Sequence, residues 1–416
     1  MASDEVERHP HLRDAALRRR AEKVIPGGMY GHQSARHLPE EYPQFMAAGE
    51  GALVWDVDGN EYVDLMCSFG PVLLGHRHPA VEEAVAAQAA RGDCMNGPSE
   101  LIVDLAEELV RTVAHADWAM FQKNGTDATT LCCTIARAAT GRARVLVAKG
   151  AYHGAAPWCT PRPAGVTAAD RANLDTYLYN DLASVEEAAE RAGGDLAAVV
   201  VSPFRHDAGF DQELVDPAFA HGLRALCDET GAALVLDDVR CGFRLHFGSS
   251  WEPIGVLPDL SAWSKAIANG YPLAAVLGSE RYRAAAEEVF ATGSFWFAAV
   301  PMAASLATIA SLRAEDAVTR MASRGEQLRA GLAKQAESWG FTVSQTGPPQ
   351  MPYLSFDGDR HHEMADRFAA EALRRGAFIH PRHNWFVSAA MTEDQLERVL
   401  EATDGAFAAL RAHHHP

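Results

Sequence analysis

The stretch that decides the fold of this 416-residue chain is Leu234-Val235-Leu236-Asp237-Asp238-Val239. It is a short apolar run that ends in acid, which is typical of a buried strand in a parallel sheet. A lysine follows in Ser261-Ala262-Trp263-Ser264-Lys265-Ala266-Ile267-Ala268-Asn269-Gly270, and 265 − 237 places it 28 residues after the first carboxylate. Because ligands bind at the carboxyl ends of such strands, Asp237 is predicted to lie at a ligand site.

Strand and helix patterns alternate on both sides of this stretch. Strands are predicted at residues 145–148, 196–201 and 232–236, and helices at residues 186–192 and 218–227. Such alternation predicts βαβ units and an α/β chain with a mainly parallel sheet. A chain of this length exceeds one compact domain. We expect an N-terminal segment over residues 1–60 that contributes to a small domain, a large ligand-binding domain over 61–305, and a C-terminal small domain over 306–416.

Lys265 and Asp237 together predict a cofactor. A lone lysine is usually a solvated surface charge. Pyridoxal phosphate chemistry, however, needs an amine that forms a Schiff base and an acid that pairs with the pyridine nitrogen. Lys265 and Asp237 offer these two groups in the expected order, so we predict pyridoxal 5'-phosphate bound covalently to Lys265.

Several further motifs occur in a fixed order along the chain. They are Asp56-Val57-Asp58-Gly59-Asn60-Glu61-Tyr62-Val63-Asp64, Asn124-Gly125-Thr126-Asp127-Ala128, Gly150-Ala151-Tyr152-His153-Gly154, Gly242-Phe243-Arg244 and Pro258-Asp259-Leu260. With these motifs the chain resembles, over roughly residues 20–410, the class III pyridoxal phosphate-dependent aminotransferases, most closely glutamate-1-semialdehyde aminomutase. The resemblance implies a fold-type-one transferase with a large, mainly parallel α/β domain and a smaller α+β domain.

The segment Asn124-Gly125-Thr126 leads directly into a predicted helix. Glycine lets the backbone approach a phosphate closely, and the helix N-terminus offers free N–H donors. A plain helix cap would leave the same pattern. Next to the lysine motif, we expect Gly125 and Thr126 to bind the cofactor phosphate, with Asn124 standing where the family usually has serine.

The resemblance assigns the remaining cofactor contacts. Tyr152 is expected to stack on one face of the ring and Val239 to pack on the other, although a core tyrosine is the alternative. Asp207 stands where the family places an asparagine at the ring oxygen. Ser294 matches a hydroxyl that reaches the phosphate from the neighbouring subunit, which implies a homodimer with a shared active site. The family's following Gly-Asn-Pro is replaced here by Phe297-Ala298-Ala299.

Departures from the aminomutase concern the substrate. Gly31 and Ser34 stand where the aminomutase reads a carboxylate with serine and arginine, and only Arg36 nearby could substitute. A bidentate charged contact is hard to replace, so glutamate semialdehyde is not expected as the main substrate. His383 matches an acid of the aminomutase pocket, and Phe69 matches a tryptophan. The candidate substrate residues are Tyr30, Arg36, His153 and His383.

These features predict an aminotransferase that moves an amino group between a donor and a carbonyl of an amino sugar or aminoglycoside intermediate. The acidic surface and the alanine- and arginine-rich composition favour specialised metabolism such as antibiotic biosynthesis. An epimerase, racemase or aminomutase is the alternative, and it needs a second acid–base group such as His153 or Cys241. A non-catalytic relative is a further alternative, against which Lys265 and Asp237 count.

Composition excludes several other classes. A net charge of −18 argues against nucleic acid as a partner, because phosphates would be repelled. No apolar run has the length of a membrane span, and the acidic start Met1-Ala2-Ser3-Asp4-Glu5-Val6-Glu7-Arg8 predicts a cytoplasmic location. The seven scattered cysteines have no metal-ligand spacing, so we expect reduced thiols and no metal site. The run His413-His414-His415 is interpreted as a solvated tail.

Overall fold

The computed structural model describes residues 9–414. The acidic N-terminal stretch that predicted the cytoplasm therefore lies outside the described residues, as does His415 of the terminal histidine run. Among the described helices, none combines the length and the apolar character that crossing a membrane would require.

The elements follow one another along the chain as helices and strands of ordinary length. The helices are α1 Leu12–Ala21, α2 Pro79–Ala89, α3 Leu101–Thr112, α4 Gly125–Thr140, α5 Leu182–Ala192, α6 Pro217–Thr230, α7 Arg283–Glu288, α8 Ala299–Ala314, α9 Ala317–Trp339, α10 Glu363–Arg374 and α11 Glu393–His414. The strands are β1 Met46–Glu50, β2 Leu53–Asp56, β3 Glu61–Asp64, β4 Trp118–Gln122, β5 Arg144–Ala148, β6 Leu174–Tyr177, β7 Leu196–Val201, β8 Phe204–Arg205, β9 Glu213–Leu214, β10 Ala233–Asp237, β11 Leu260–Trp263, β12 Ala274–Gly278, β13 Val343–Thr346, β14 Tyr353–Phe356 and β15 Ala377–Phe378.

A central sheet carries the fold, in the order β4-β12-β11-β10-β7-β5-β6. Its strands from β11 to β6 are parallel, whereas β12 runs antiparallel to both of its neighbours. The mainly parallel α/β fold predicted from the sequence is confirmed. The predicted helices begin earlier than expected, at Leu182 and Pro217, because Asp181 and Asp216 cap them by accepting backbone N–H bonds.

Both faces of this sheet are covered by helices, which explains why its central strands are apolar throughout. Within β10, Ala233 and Val235 pack in the cluster that contains α4, while Leu234 and Leu236 pack in the cluster that contains α5 and α6. Successive side chains of a strand point to opposite faces, so each face receives every second residue. The edge where the strands end is left as the open side of the sheet, and Asp237 lies there.

A smaller unit contains the sheet β1-β2-β3-β15 and the pair β13-β14. Its strand β15 from the C-terminal part of the chain runs parallel to β3 from the N-terminal part. Helices α9, α10 and α11 contribute to the core of this unit. The domain boundaries remain predictions, and β3, which begins at Glu61, shares a sheet with β1 and β2.

Candidate active site

Two neighbouring strands bring the predicted lysine and acid to one edge of the central sheet. Asp237 is the last residue of β10, and Lys265 follows the end of β11 with only Ser264 between. The two strands are parallel and in register, with Asp237 opposite Ala262. Asp237 and Lys265 are 265 − 237 = 28 residues apart in sequence, but they lie at the ends of adjacent strands. The edge matches the position where ligands bind to sheets of this type.

The backbone at Lys265 is held in an uncommon conformation. Its φ is 40°, in the left-handed region that side chains with a Cβ rarely adopt. The segment is fixed from both sides, since Ser264 Oγ donates to the carbonyl of Leu273 at 2.9 Å. Asn269 accepts from the backbone N–H groups of Leu73 and Leu74 and donates to the carbonyl of Gly75. Strain of this kind is retained where a side chain must be aimed at a site.

The amine of Lys265 is adjusted for reaction near neutral pH. Burial, followed by the nearby charge of Arg240, lowers its pKa from the ordinary value to about 7 against the opposing effect of Asp237. An amine must be unprotonated to attack a carbonyl carbon. A substantial neutral fraction at neutral pH therefore makes Lys265 a nucleophile, unlike an ordinary surface lysine.

Asp237 is oriented by a histidine. His153 Nδ1 lies 2.7 Å from Asp237 Oδ2, and the side chains are only 1% and 8% exposed. Asp237 Oδ1 accepts the backbone N–H of Val239 at 3.2 Å. The ring of Trp158 stacks parallel to that of His153, with centroids 6.5 Å apart. Two contacts thus fix the carboxylate, and sequence reasoning, which counted His153 as a substrate residue, did not foresee this pairing.

A cradle without side chains lies where α4 begins. A Cβ on Gly125 would lie 2.8 Å from Val239 Cγ1, and a Cβ on Gly154 would lie 2.5 Å from Thr126 Oγ1. Thr126 Oγ1 accepts the backbone N–H of Ala155 at 3.1 Å, which joins the two loops. The first N–H groups of a helix have no partner within the helix and suit an anion. Asn124 is itself used in a capping box with Asp127.

The other predicted cofactor residues differ in their exposure and in their contacts. Tyr152 is 41% exposed, and Val239 lies against Gly125. Asp207 packs against Gly150 and pairs with Arg205, whose Nε lies 2.8 Å from Asp207 Oδ2. Ser294 is exposed in the loop between α7 and α8.

The predicted substrate residues fall into two groups. Tyr30 and Arg36 are exposed, and Arg36 Nη2 donates to the carbonyl of Gly27 at 2.6 Å. His383 lies deeper, 5.4 Å from Phe69 between ring centroids, and its Nδ1 lies 2.7 Å from the carbonyl of Asn384. Burial, followed by the charge of Arg240, lowers the pKa of His383 well below its usual value. His383 is therefore an uncharged hydrogen-bonding group.

A cavity of about 980 Å³ opens beside these residues. Its lining includes Gly31, Ser34, Phe69, Arg205, His380 and His383. The positions at which the aminomutase reads a carboxylate thus border a roomy space with small uncharged groups. Phe69 and His383, which both line this cavity, are in edge-to-face contact with each other.

Sequence reasoning missed Arg240 and Asn384. Arg240 is 9% exposed, and its Nη1 donates to Asn384 Oδ1 at 3.0 Å. Its charge lowers the pKa values of Lys265, His206 and His383, so it faces the same space as the lysine. The sequence contained a signal for Arg240, because a cation three residues after the acid that ends β10 must lie at the edge of the sheet where ligands bind. Its burial could not be read from the sequence.

The chemistry of these residues fits pyridoxal phosphate. A reactive amine, a fixed carboxylate and a glycine-lined helix N-terminus lie around one sheet edge. The glycine cradle has no space for a Cβ. The site and fold are those of a pyridoxal phosphate-dependent transferase.

Comparison with known proteins narrows this class. Residues 36–403 match the family described as aminotransferase class-III. The chain is 51% identical over 398 residues to the aminopentol aminotransferase of Sphingopyxis macrogoltabida, covering 96% of this chain and 94% of that protein. The glutamate-1-semialdehyde 2,1-aminomutase of Roseiflexus castenholzii is 33% identical over 429 residues, with 96% and 98% covered.

Among solved structures, the FumI protein of Sphingopyxis sp. MTA144, in its pyridoxal phosphate internal aldimine form, superimposes with a TM-score of 0.96. It is 51% identical, and the match covers 97% of this chain and 98% of that one. The chain belongs to the class-III aminotransferases and uses pyridoxal phosphate. The predicted family, enzyme class and cofactor are confirmed, although the aminopentol aminotransferase is a nearer relative than the aminomutase.

Proposed function

We propose that this aminotransferase acts on a primary amine that carries several hydroxyl groups, a class that includes amino sugars and aminoglycoside intermediates. The observation that carries the proposal is the cavity of about 980 Å³ bordered by Gly31 and Ser34. Gly31 and Ser34 are small and uncharged and leave room for a bulky polar body, while the cations of the cavity, Arg162, Arg205, Arg360 and Arg382, lie elsewhere in its lining. The relative named aminopentol aminotransferase, a name that denotes an amine with hydroxyl groups, supports this class.

Each residue of the inner site has a task in that reaction. When bound, pyridoxal phosphate supplies an electron sink for the bond broken at the amine-bearing carbon. Lys265 would hold the cofactor through its amine and, once the incoming substrate amine has displaced it, would move a proton from the amine-bearing carbon of the substrate. Asp237, fixed by His153, keeps the pyridine nitrogen protonated. Gly125 and Thr126 bind the phosphate through backbone N–H groups.

Six further residues contact the cofactor or the substrate in this proposal. Tyr152 and Val239 pack on the two faces of the cofactor ring, and Asp207 lies at the ring oxygen. His383 donates or accepts a hydrogen bond to a substrate hydroxyl at the mouth of the cavity, because it is uncharged. Tyr30 and Arg36 would contact only the outermost part of a long substrate, since both are exposed.

The enzyme is proposed to work as a homodimer, with Ser294 reaching the phosphate of the partner's site. The support is a group of exposed aromatic side chains around it: Phe290 is 91% exposed, and Phe295 and Phe297 are also exposed. Several exposed aromatic side chains on one short segment are typical of an interaction site. The cytoplasm is the proposed compartment, supported by cysteines that are all free.

The isomerase alternative has less support. It needs a second acid–base group on the far side of the substrate carbon. Cys241 is fully buried and burial raises the pKa of its thiol, while His153 is engaged by Asp237. Both side chains are buried, and neither lines the cavity.

A spectroscopic titration tests the proposal. Purified holoenzyme is mixed, in separate series, with an amino polyol, an aminoglycoside and glutamate semialdehyde, and the visible absorbance of the bound cofactor is followed. The polyhydroxylated amines should discharge the absorbance at low concentration and give the matching carbonyl product. Rapid turnover of the semialdehyde with no response to the other amines would contradict the proposal and restore the aminomutase reading. Solvent deuterium uptake without carbonyl product would favour the isomerase.

A further inference from the structure

A second cavity, of about 470 Å³, adjoins the cavity described above. The two spaces share five lining residues, which are His32, Ser34, Leu38, Phe69 and His380. Beyond these residues, the lining of the second cavity comes mainly from the segment before β1, from β1 itself and from single residues of β2, β3 and β15. The two cavities are thus neighbouring parts of one concave surface.

The two cavities differ in polarity. The lining of the first contains the four arginines Arg162, Arg205, Arg360 and Arg382. Within residues 9–414, the lining of the second contains no arginine and no lysine, and more than half of its residues have apolar side chains. A lining of this kind suits a hydrocarbon group, which gains by leaving water. The apolar members include Leu38, Met46, Val54, Met66 and Phe378.

The polar groups of the second cavity are used within the fold. Asp64 is the only acid of this lining in the described part of the chain, and its Oδ2 lies 2.8 Å from His76 Nε2. Its Oδ1 accepts the backbone N–H groups of Met66 and Cys67. The side chain of Gln44 accepts one backbone N–H and donates to one carbonyl. These groups already have partners, so they are not placed to select a charged ligand.

Phe69 lies where the two cavities meet and close to the reactive amine. Its ring makes edge-to-face contacts with His32 and His380, at 4.7 and 6.2 Å between centroids. Burial, followed by the charges of Lys265 and Arg240, lowers the pKa of His32, so this ring lies near the lysine. Burial, followed by the charge of Arg382, lowers the pKa of His380 to about 4. Both imidazoles are therefore uncharged at neutral pH.

The backbone that carries Phe69 is held in an uncommon conformation. The φ angles of Cys67, Ser68 and Phe69 are 46°, 55° and 65°, which are three consecutive residues in the left-handed region. A Cβ on the following Gly70 would lie 2.9 Å from Phe386 Cε1, so the loop is tightly packed there. Strain of this kind is retained where a side chain must be held in one place. The fold thus fixes Phe69 between the two cavities.

We propose that the second cavity binds the aliphatic tail of the amine substrate, so that the enzyme acts on long-chain amines that carry hydroxyl groups. The inference rests on the proposed function and names the substrate class of the same site. The amine reaches Lys265, the hydroxyl groups lie in the first cavity, and the tail passes Phe69 into the second. A compact amino sugar has no such tail and leaves the second cavity unused.

A series of amino diols that differ only in the length of their alkyl chain tests this inference on the holoenzyme. The value of kcat/KM should rise about fourfold for each added methylene, which is the gain expected from burying one such group. The rise should stop when the cavity is filled. The quantity compared between variants is the ratio of kcat/KM for the longest and the shortest amino diol, because a general loss of activity cancels in this ratio.

Two substitutions in β1 change the second cavity in different ways. Ala48→Phe reduces its space, because Ala48 is an exposed residue of its lining, and should lower the ratio about tenfold. Met46→Glu places a carboxylate in the lining, and the ratio should fall because the tail cannot cover a charge that must stay hydrated. Ala330→Phe is the matched control, since Ala330 is an exposed alanine of α9 that lines neither cavity. Its ratio should equal that of the unmodified enzyme.

Binding without turnover is measured by calorimetry with n-octanol, which has an alkyl chain and no amine. The holoenzyme and Ala330→Phe should bind it with a negative change in heat capacity, the mark of apolar burial. Binding should be lost in Ala48→Phe and in Met46→Glu. In the unmodified enzyme, n-octanol should compete with the longest amino diol.

A ratio that does not depend on chain length, n-octanol binding that both variants leave undiminished, or inhibition that is not competitive would overturn the inference. A chain that reacts with no polyhydroxylated amine would instead contradict the proposed function, and n-octanol binding then still decides whether the cavity takes an alkyl chain. Thermal unfolding of each variant shows whether the fold is retained. If Ala48→Phe unfolds, Met46→Glu decides the matter, since Met46 is 43% exposed and its replacement leaves the core unchanged.

Discussion

The inner wall of the site is formed by strand ends, whereas the outer rim is formed by loops of both units. The two regions meet different structural requirements. The inner wall holds Asp237 and Lys265 on adjacent parallel strands and presents a glycine cradle at the start of α4. The rim holds Gly31, Ser34 and His383, which come from opposite ends of the chain. The wall matches what the cofactor requires, whereas the rim departs from the aminomutase at the residues that read a substrate. The cofactor assignment therefore rests on the wall, and the proposed substrate rests on the rim.

Among the substitutions that test this comparison between wall and rim, the one at Lys265 is expected to have the largest effect on turnover. Lys265→Ala removes the amine that is proposed both to hold the cofactor and to move the substrate proton. Turnover should fall by at least about 10⁴-fold, because general acid–base and nucleophilic functions are lost together. Steady-state assays with an amino polyol measure this. A variant with more than about a hundredth of normal turnover would place the reacting amine elsewhere.

A smaller but still large effect is expected at Asp237. Asp237→Asn keeps the shape of the side chain but removes the charge that contacts His153 and is proposed to pair with the pyridine nitrogen. The proton-removal step should slow on the order of 10²-fold, since a charged partner in a buried site is lost. The primary isotope effect with a substrate deuterated at the amine-bearing carbon should increase. Unchanged turnover would rule out this role.

The wall was predictable because its signals are local. The apolar run of β10, the lysine after β11 and the glycine before α4 each belong to one short segment, and strand ends meet at one edge of a parallel sheet by geometry. The His153–Asp237 contact joins residues 84 apart in sequence, and the Arg240–Asn384 contact joins residues 144 apart. Such pairings depend on how separate segments pack, which periodicity and composition do not encode.

An intermediate effect, on cofactor affinity, is expected for a substitution in the glycine cradle at the start of α4. Gly125→Ala adds a methyl group 2.8 Å from Val239 Cγ1, so the wall must move. Overpacking costs about 1–3 kcal/mol, which corresponds to about 5- to 150-fold weaker cofactor binding. Fluorescence titration of the cofactor-free protein measures the affinity. Gly194→Ala is the matched control, because a Cβ there meets nothing within 4 Å. Equal affinities in the two variants would remove Gly125 from the phosphate site.

The smallest effect concerns pH. The pKa of Lys265 near 7 means that its amine is protonated below that value and free above it. The rate at which cofactor-free protein incorporates pyridoxal phosphate should therefore rise with pH up to about 7 and then level off. Arg240 is the second cause of the lowered pKa, so Arg240→Gln should move the midpoint upward. A rate that keeps rising to pH 10 in the unmodified protein would contradict the assigned burial of this amine.

Covalent trapping tests most directly the claim that the strand-end wall carries the chemistry. The holoenzyme is reduced with borohydride and digested, and the peptide that bears the cofactor mass is sequenced by mass spectrometry. The account predicts a single modified residue, Lys265, and no reduced adduct in Lys265→Ala. An adduct on another lysine, or one that persists in Lys265→Ala, would contradict it.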